Sequence, residues 1–404
     1  VSAGPHLHLE LRRTETGEYI DPMPYFKHLL KDSKAPVGSL IGIYPIQGKG
    51  VVNGSSHKKL LAIGNLKQPV HAWGEIYTGI SAKDYMDGTS NFYGVHSVTL
   101  YVDSVQVFNS TTDKVLPDEN RMINGFTDYE ELTRTRRLIM RSYKLPGNRL
   151  RLLHPNENRG AVTIDEERDY HFRYVLEDNF GNRRTYQFIV KGKRQDIPEY
   201  KPEANEMLYW NRTNVIQKPG MELVVPRYYV YEDVPLRTDM RGDSSHIAFD
   251  YILDAGRTPI HSYCDLSIGL RHMPVADTTK YYIVQKAGKW RSSMGGKYAN
   301  GWIKTRVRSL GTFSVDVDTI APQITPIGQG GWRTSRNIRF RIKDMESGIG
   351  SYKVYIDGKF VLFGLKKGIL VIQNPEKVKK GVSHKLEVTV TDQCGNMTRK
   401  EYKF

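Results

Sequence analysis

The sequence predicts a mainly β protein made of tandem antiparallel β-sandwiches, and three observations carry that prediction. From Val37 onward, short runs of Val, Ile, Tyr and Phe alternate with polar residues and are broken by Gly, Asn, Asp or Pro every eight to twelve residues, the texture of half-buried strands joined by tight turns. Long amphipathic helical patterns are nearly absent. Part of the chain also repeats. Gly94-Val95-His96-Ser97-Val98-Thr99-Leu100-Tyr101-Val102-Asp103 matches Gly348-Ile349-Gly350-Ser351-Tyr352-Lys353-Val354-Tyr355-Ile356-Asp357, and Asp178-Asn179-Phe180-Gly181-Asn182 matches Asp392-Gln393-Cys394-Gly395-Asn396.

Taken in order, the chain opens with Gly4-Pro5-His6-Leu7-His8-Leu9-Glu10-Leu11. A strand sends alternate side chains to opposite faces, so His6, His8 and Glu10 share one face and the three leucines the other. Neutral imidazole is the commonest protein ligand for zinc, and two histidines two residues apart on a strand lie about 6 to 7 Å apart at Cα. That spacing suits one metal ligand and one neighbour placed for proton transfer. A surface strand that happens to carry two histidines fits the pattern equally.

Ser2-Ala3 before this motif, and Gly17-Glu18-Tyr19-Ile20-Asp21-Pro22 with Tyr25-Phe26 after it, make the stretch resemble the C-terminal end of the lysostaphin/LytM-type zinc metalloendopeptidases, which cut peptide cross-links in bacterial peptidoglycan. The resemblance implies a zinc cofactor, with His8 as metal ligand and His6 as the catalytic neighbour beside the scissile carbonyl. Catalytic zinc takes three protein ligands plus water, and the family's other two come from an earlier His-x-x-x-Asp element. His246 to Asp250 and His261 to Asp265 have that spacing but lack the family's glycine, and they read as coincidence. Residues 1–30 are therefore expected to be the C-terminal fragment of a LytM-type β-fold peptidase domain, holding only part of the zinc site.

Lys31 to Pro36 is polar, ends in proline and reads as a linker. Residues 31–195 and 319–404 then carry the two copies of the repeat, and both resemble bacterial immunoglobulin-like domains. Asp-x-x-Gly-Asn between two alternating runs is a hairpin turn, with Gly and Asn expected to supply positive φ. Asp103 and Asp178 stand 75 positions apart but Asp357 and Asp392 only 35, so the first copy carries about 40 extra residues, placed at about 109–160. This insertion holds the one helix candidate, Asp128 through Tyr143, with Glu130 and Glu131 in its first turn and Arg134, Arg136, Arg137 and Arg141 later, as the helix dipole favours. Residues 196–318 form a middle β domain without the repeat. Its glycine-rich Lys289 to Tyr298 stretch lacks the Gly-Lys-Ser/Thr ending of a phosphate loop and reads as a hairpin.

A chain of 404 residues suffices for two to four domains. No apolar run approaches the roughly eighteen residues that span a membrane. Two cysteines, Cys264 and Cys394, exclude a disulfide framework and default to free thiols. Net charge is +15, and residues 319–404 hold 16 Lys and Arg against 7 Asp and Glu, a surplus of 9. Such a basic domain suits anionic head groups or acidic wall polymers, or is simply a solvated face. No nucleic-acid module is recognisable, so nucleic acid is not an expected partner.

Two functional expectations follow. The first is a zinc metalloendopeptidase, a peptidoglycan hydrolase acting on cross-link peptides, whose sandwiches position it on the wall or against other envelope proteins, with this chain alone inactive. The second is a non-catalytic envelope scaffold or wall-binding protein with a degenerate peptidase domain. Both place the protein in the cell envelope, periplasmic or secreted.

Overall fold

The computed structural model describes residues 9–404, and the chain is mainly β, with antiparallel sheets and a few short helices. It divides into two compact units. The first holds the residues up to Thr213 with Pro226–Pro235 and Gly256–Ser262, and the second holds Asn214–Val225, Leu236–Ala255 and Tyr263–Phe404. No described helix is long and apolar enough to cross a membrane.

In the first unit the sandwich is framed by two 16-residue strands, β1 (Val37–Val52) and β2 (Val70–Tyr85). Then come β3 (Ser97–Val102), β4 (Val105–Thr111), helix α1 (Tyr129–Thr135), β5 (Asp169–Glu177) and β6 (Arg183–Gly192). The sheet order is β4-β3-β5-β6-β2-β1, with β6 parallel to β2 and the other pairs antiparallel. Register sets Phe172 opposite Val102, Tyr174 opposite Leu100 and Leu176 opposite Val98, and all six are buried. Ile41 and Ile43 from the other end of the sheet join these residues in one core, so the sheet closes over itself as a sandwich.

The register of β1 on β2 slips between Pro45 and Gly50. At the slip Gly74 takes a φ of +81°, and a Cβ there would stand 2.0 Å from the Lys49 carbonyl oxygen, which only glycine avoids.

The repeated Asp-x-x-Gly-Asn segments are turns in both sandwiches, with a division of labour the sequence did not show. Gly181 and Gly395 take positive φ, at +91° and +80°, while the asparagines do not. Instead Asn182 donates its Nδ2 to Asp178 Oδ2 at 2.8 Å, and Asn396 does the same to Asp392 Oδ2 at 2.8 Å. In each turn the first aspartate also accepts the backbone N–H of the asparagine at 2.9 Å.

The helix in the insertion is shorter than its charge pattern predicts. Asp128 caps α1 by accepting Glu131 N–H at 3.1 Å, but the helix ends at Arg136, whose φ is +65°. The chain then runs extended so that Met140 can pair with Ile80 of β2 and Ile139 can bury completely. Burial in the core outweighs helix propensity here. Residues 11–20 are tied to the same region. Leu11–Arg12 pairs with Tyr19–Ile20, which pairs with Lys114–Val115, and Arg151 binds Glu18 at 2.6 Å and Glu119 at 2.7 Å.

The second unit begins with β7 (Asn214–Lys218), β8 (Met221–Val225), β9 (Val234–Arg241), β10 (Asp250–Asp254), β11 (Cys264–Gly269), β12 (Tyr281–Ala287), β13 (Trp302–Val307) and β14 (Gly311–Val317). They form two sheets, ordered β7-β8-β11-β13 and β9-β10-β14-β12. Each turns one face inward: Leu223, Leu266 and Ile303 are buried from the first, Tyr251, Ile283 and Phe313 from the second. The glycine-rich stretch is not a hairpin on its own: Trp290–Ser293 pairs back on β12, with Ala287 opposite Trp290 across Gly288, whose φ is +60°, and the chain then crosses to the other sheet, where Lys297–Ala299 pairs with β13.

The last sandwich follows with β15 (Gln323–Ile327), β16 (Arg339–Lys343), β17 (Ile349–Ile356), β18 (Phe363–Lys366), β19 (Ile369–Ile372), β20 (Lys385–Asp392) and β21 (Met397–Lys403). One sheet is ordered β15-β16-β19-β18, and β17-β20-β21 belong to the other. Trp332, fully buried, stacks edge-on against Phe340 and Tyr402 and donates Nε1–H to the Ile327 carbonyl at 3.0 Å.

His384, directly before β20, ties the start of that strand to two loops. Its Nδ1 meets Asp357 Oδ2 at 2.6 Å and its Nε2 meets the Lys379 carbonyl at 2.8 Å. Two acceptors require two N–H donors, the imidazolium. Burial opposes that charge, but the bonds to Asp357 and Lys379 outweigh it and raise the histidine, while Asp357 is lowered by the same bond. The histidine's contribution is complete below about 6.5 and is lost as pH rises through its raised folded value; that of Asp357 holds above about 4 and is lost on acidification. The melting temperature of the last sandwich is therefore expected to fall between pH 6 and pH 8, and a His384→Gln variant to lose that slope. An unchanged slope in the variant would show that His384 does not bind the proton.

Candidate functional site

His6 and His8, the residues expected to do the chemistry, lie outside the described residues, which begin at Leu9. Neither later histidine assembles a site. His246 Nδ1 bonds Asp243 at 2.9 Å while Asp250 pairs with Lys286 at 2.6 Å, and His261 Nδ1 bonds the Tyr231 hydroxyl at 3.0 Å. Cys264 and Cys394 are free and buried, and burial pushes their thiols up to about 12 and about 11. Neither is an available thiolate nucleophile at neutral pH.

A pocket of about 180 Å³ in the first unit is lined by Tyr44, Lys58, Asp128, Arg141 and Tyr231 among others. Its charges are consumed internally. Lys58 Nζ reaches Asp128 Oδ2 at 2.9 Å and Glu130 Oε2 at 3.1 Å, and the Tyr44 hydroxyl donates to Asp128 Oδ2 at 3.2 Å. Burial pulls the Lys58 ammonium down, but these two carboxylates outweigh it and raise it; burial likewise lifts Asp128, yet Lys58 holds it below the usual carboxylate range. A lysine kept charged and an acid kept ionised inside one another's reach bind the insertion to the segment that follows β1; neither is poised as nucleophile or base.

A row of unpaired charge lies on the last sandwich. Along β16, Phe340 and Ile342 point into the core while Arg339, Arg341 and Lys343 are all exposed on the opposite face. Alternate residues of a strand are about 6.6 Å apart, so the three cations form a row about 13 Å long. Among the described residues no carboxylate pairs with any of them, in contrast to Arg399 with Glu387 and Lys385 with Glu401 on the other sheet. The row is flanked by uncharged residues: Gln323 and Thr325 on one side, Ile369 and Val371 on the other. The lysine-rich composition pointed to this domain; only the strand register put three charges on one face.

Among the described residues, the groups that bring three possible metal-binding side chains together are two aspartate trios, Asp32-Asp84-Asp178 and Asp318-Asp344-Asp392, without a histidine. They are the same place in the two sandwiches. Asp32 and Asp318 open Asp-x-x-Ala-Pro segments, Asp84 and Asp344 follow a lysine at the end of a strand, and Asp178 and Asp392 begin the repeated turns. That signal was present in the sequence, but three separate short matches acquire meaning only when the fold joins them.

Residues 205–318 match the family model of the Zu5-like domain. No curated relative matches. Among solved structures, the chain is similar to a Ca²⁺-stabilized adhesin that helps an Antarctic bacterium bind ice, at 10% identity over 89% of this chain and 98% of that one, with a TM-score of 0.16. It is also similar to a 1.5-MDa bacterial ice-binding adhesin, at 9% identity, 82% and 89% coverage and a TM-score of 0.14. A third is SGBP-B of the Bacteroides ovatus mixed-linkage glucan utilization locus, in complex with a mixed-linkage heptasaccharide, at 12% identity, 81% and 62% coverage and a TM-score of 0.14. Superpositions this loose carry no argument of their own.

The lysostaphin/LytM-type reading is corrected by the family comparison. The family model that matches is that of a Zu5-like domain. The resemblance rested on a motif of local spacing. A strand with alternating leucines and histidines satisfies it without building a metallopeptidase, so the hydrolase function and its zinc chemistry are not carried forward.

Proposed function

We propose that this chain is a non-catalytic binding scaffold, exposed at the cell surface or in the envelope, whose last sandwich docks on an anionic wall polymer. The observation that carries this reading is the row Arg339, Arg341 and Lys343, unpaired and on one face of β16. Unpaired cations at regular spacing gain most from a ligand with a regular spacing of carboxylates or phosphates, since each contact releases counterions instead of breaking an internal ion pair. Peptidoglycan, with its peptide carboxylates, belongs to that class.

The test is co-sedimentation of the full chain with purified wall. Affinity is expected to fall as salt rises, and the triple reversal R339E/R341E/K343E to weaken binding at least about tenfold, as reversing three contact charges should. The three positions are solvent-facing, so the variant should keep its melting temperature. Binding by the folded variant equal to that of the parent would overturn the reading.

A further inference from the structure

The two aspartate trios are equivalent in position but not in how their oxygens are satisfied. In the last sandwich Asp318 Oδ2 accepts both the backbone N–H of Ser347, at 3.0 Å, and its hydroxyl, while Asp318 Oδ1 accepts Ile320 N–H at 2.9 Å. Asp344 Oδ2 accepts the N–H groups of Glu346, at 3.1 Å, and Gly348, at 2.7 Å. Ser347 is wholly buried and supplies donors in the middle of that cluster.

In the first sandwich no residue plays the part of Ser347. Asp32 Oδ1 accepts Lys34 N–H at 3.0 Å, but Asp32 Oδ2 is buried with no partner. Asp84 is 7% exposed and its Oδ1 is likewise buried with no partner. Asp178 is 2% exposed and uses its oxygens on the turn that it opens. One ligand oxygen from each of the three lies within 4.8 Å of the others. Buried carboxylate oxygens almost always have a donor or a metal, and two orphaned oxygens within one cluster of three carboxylates leave a place for a cation.

We propose that Asp32, Asp84 and Asp178 bind one calcium ion. Three carboxylates without nitrogen or sulfur donors form a hard, all-oxygen ligand set, which suits Ca²⁺ over zinc, and ligands drawn from three separate segments suit the irregular, water-completed shell that Ca²⁺ accepts and Mg²⁺ resists. The ion joins the segment before β1 to the end of β2 and to the turn after β5, and so fixes the direction in which the chain enters the sandwich. The equivalent trio of the last sandwich, completed by Ser347, needs no ion.

The experiment is calorimetric titration of CaCl₂ into the EDTA-treated full chain, beside melting curves with and without the ion. The parent is expected to bind one Ca²⁺ and to melt at a higher temperature with it. Asp84→Asn keeps the shape of the side chain and should weaken binding at least about tenfold, the scale of a lost charged ligand. Asp32→Asn, at a position outside the strands of the sandwich, should do the same, and Asp392→Asn should leave the calcium heat unchanged. Absence of a calcium heat in the parent, equal binding by folded D84N and D32N, or tighter binding of Mg²⁺ than of Ca²⁺ would each overturn the proposal.

Discussion

Trp332→Ala is expected to cost the last sandwich about 4 kcal/mol, the range for truncating a buried tryptophan. The indole is fully buried, with Phe340, Tyr402 and Phe404 around it at centroid distances of 5.1, 5.8 and 5.8 Å. Alanine would leave a cavity between the two sheets and strip the Ile327 carbonyl of its donor. For a domain of fewer than 100 residues that loss lowers the melting temperature by roughly 15 to 30 °C. Trp332→Phe keeps most of the packing and loses the hydrogen bond, so its cost is about 1 to 2 kcal/mol. Calorimetric melting of both variants checks this, and a W332A shift below about 5 °C would remove Trp332 from the centre of this core.

Lys58→Met should produce the second large effect, in the first unit. Methionine preserves the aliphatic stem and deletes only the ammonium. Asp128, whose side chain is 4% exposed, then loses its cation, while Glu131 keeps Arg134 at 2.8 Å. Removing one partner of a buried pair leaves an uncompensated charge and costs about 3 kcal/mol; the lysine's own 24% exposure places the expectation at the lower end of that class. The double variant Lys58→Met/Asp128→Asn removes the stranded charge while asparagine still caps α1, so it should recover at least half of the loss, a coupling read directly from a double-mutant cycle. If K58M melts with the parent, the network does not hold the insertion in place.

Much of the fold was legible because burial in a strand follows a period of two. The run Asp169–Glu177 buries Tyr170, Phe172, Tyr174 and Leu176 as its alternation requires, and the Asp-x-x-Gly-Asn repeats are turns in both copies. The helix failed where a local preference met a distant demand: arginines beyond Arg136 satisfy a helix dipole, but Ile139 and Met140 are needed by the core. The function failed for a related reason. His6-x-His8 is a signal confined to three residues, whereas a site is a set of groups that converge in space.

Composition, alternation and internal repetition by themselves determined that this is a mainly β chain of antiparallel sandwiches with a basic final domain, because those properties are local or summed along the chain. Only the tertiary structure decided which charges are spent and which are free. It paired Lys58 with Asp128, lined up Arg339, Arg341 and Lys343 on one face, and brought Asp32, Asp84 and Asp178 together while giving only the equivalent trio its Ser347. Strand register and loop closure join residues far apart in sequence, and electrostatic chemistry depends on distance in space.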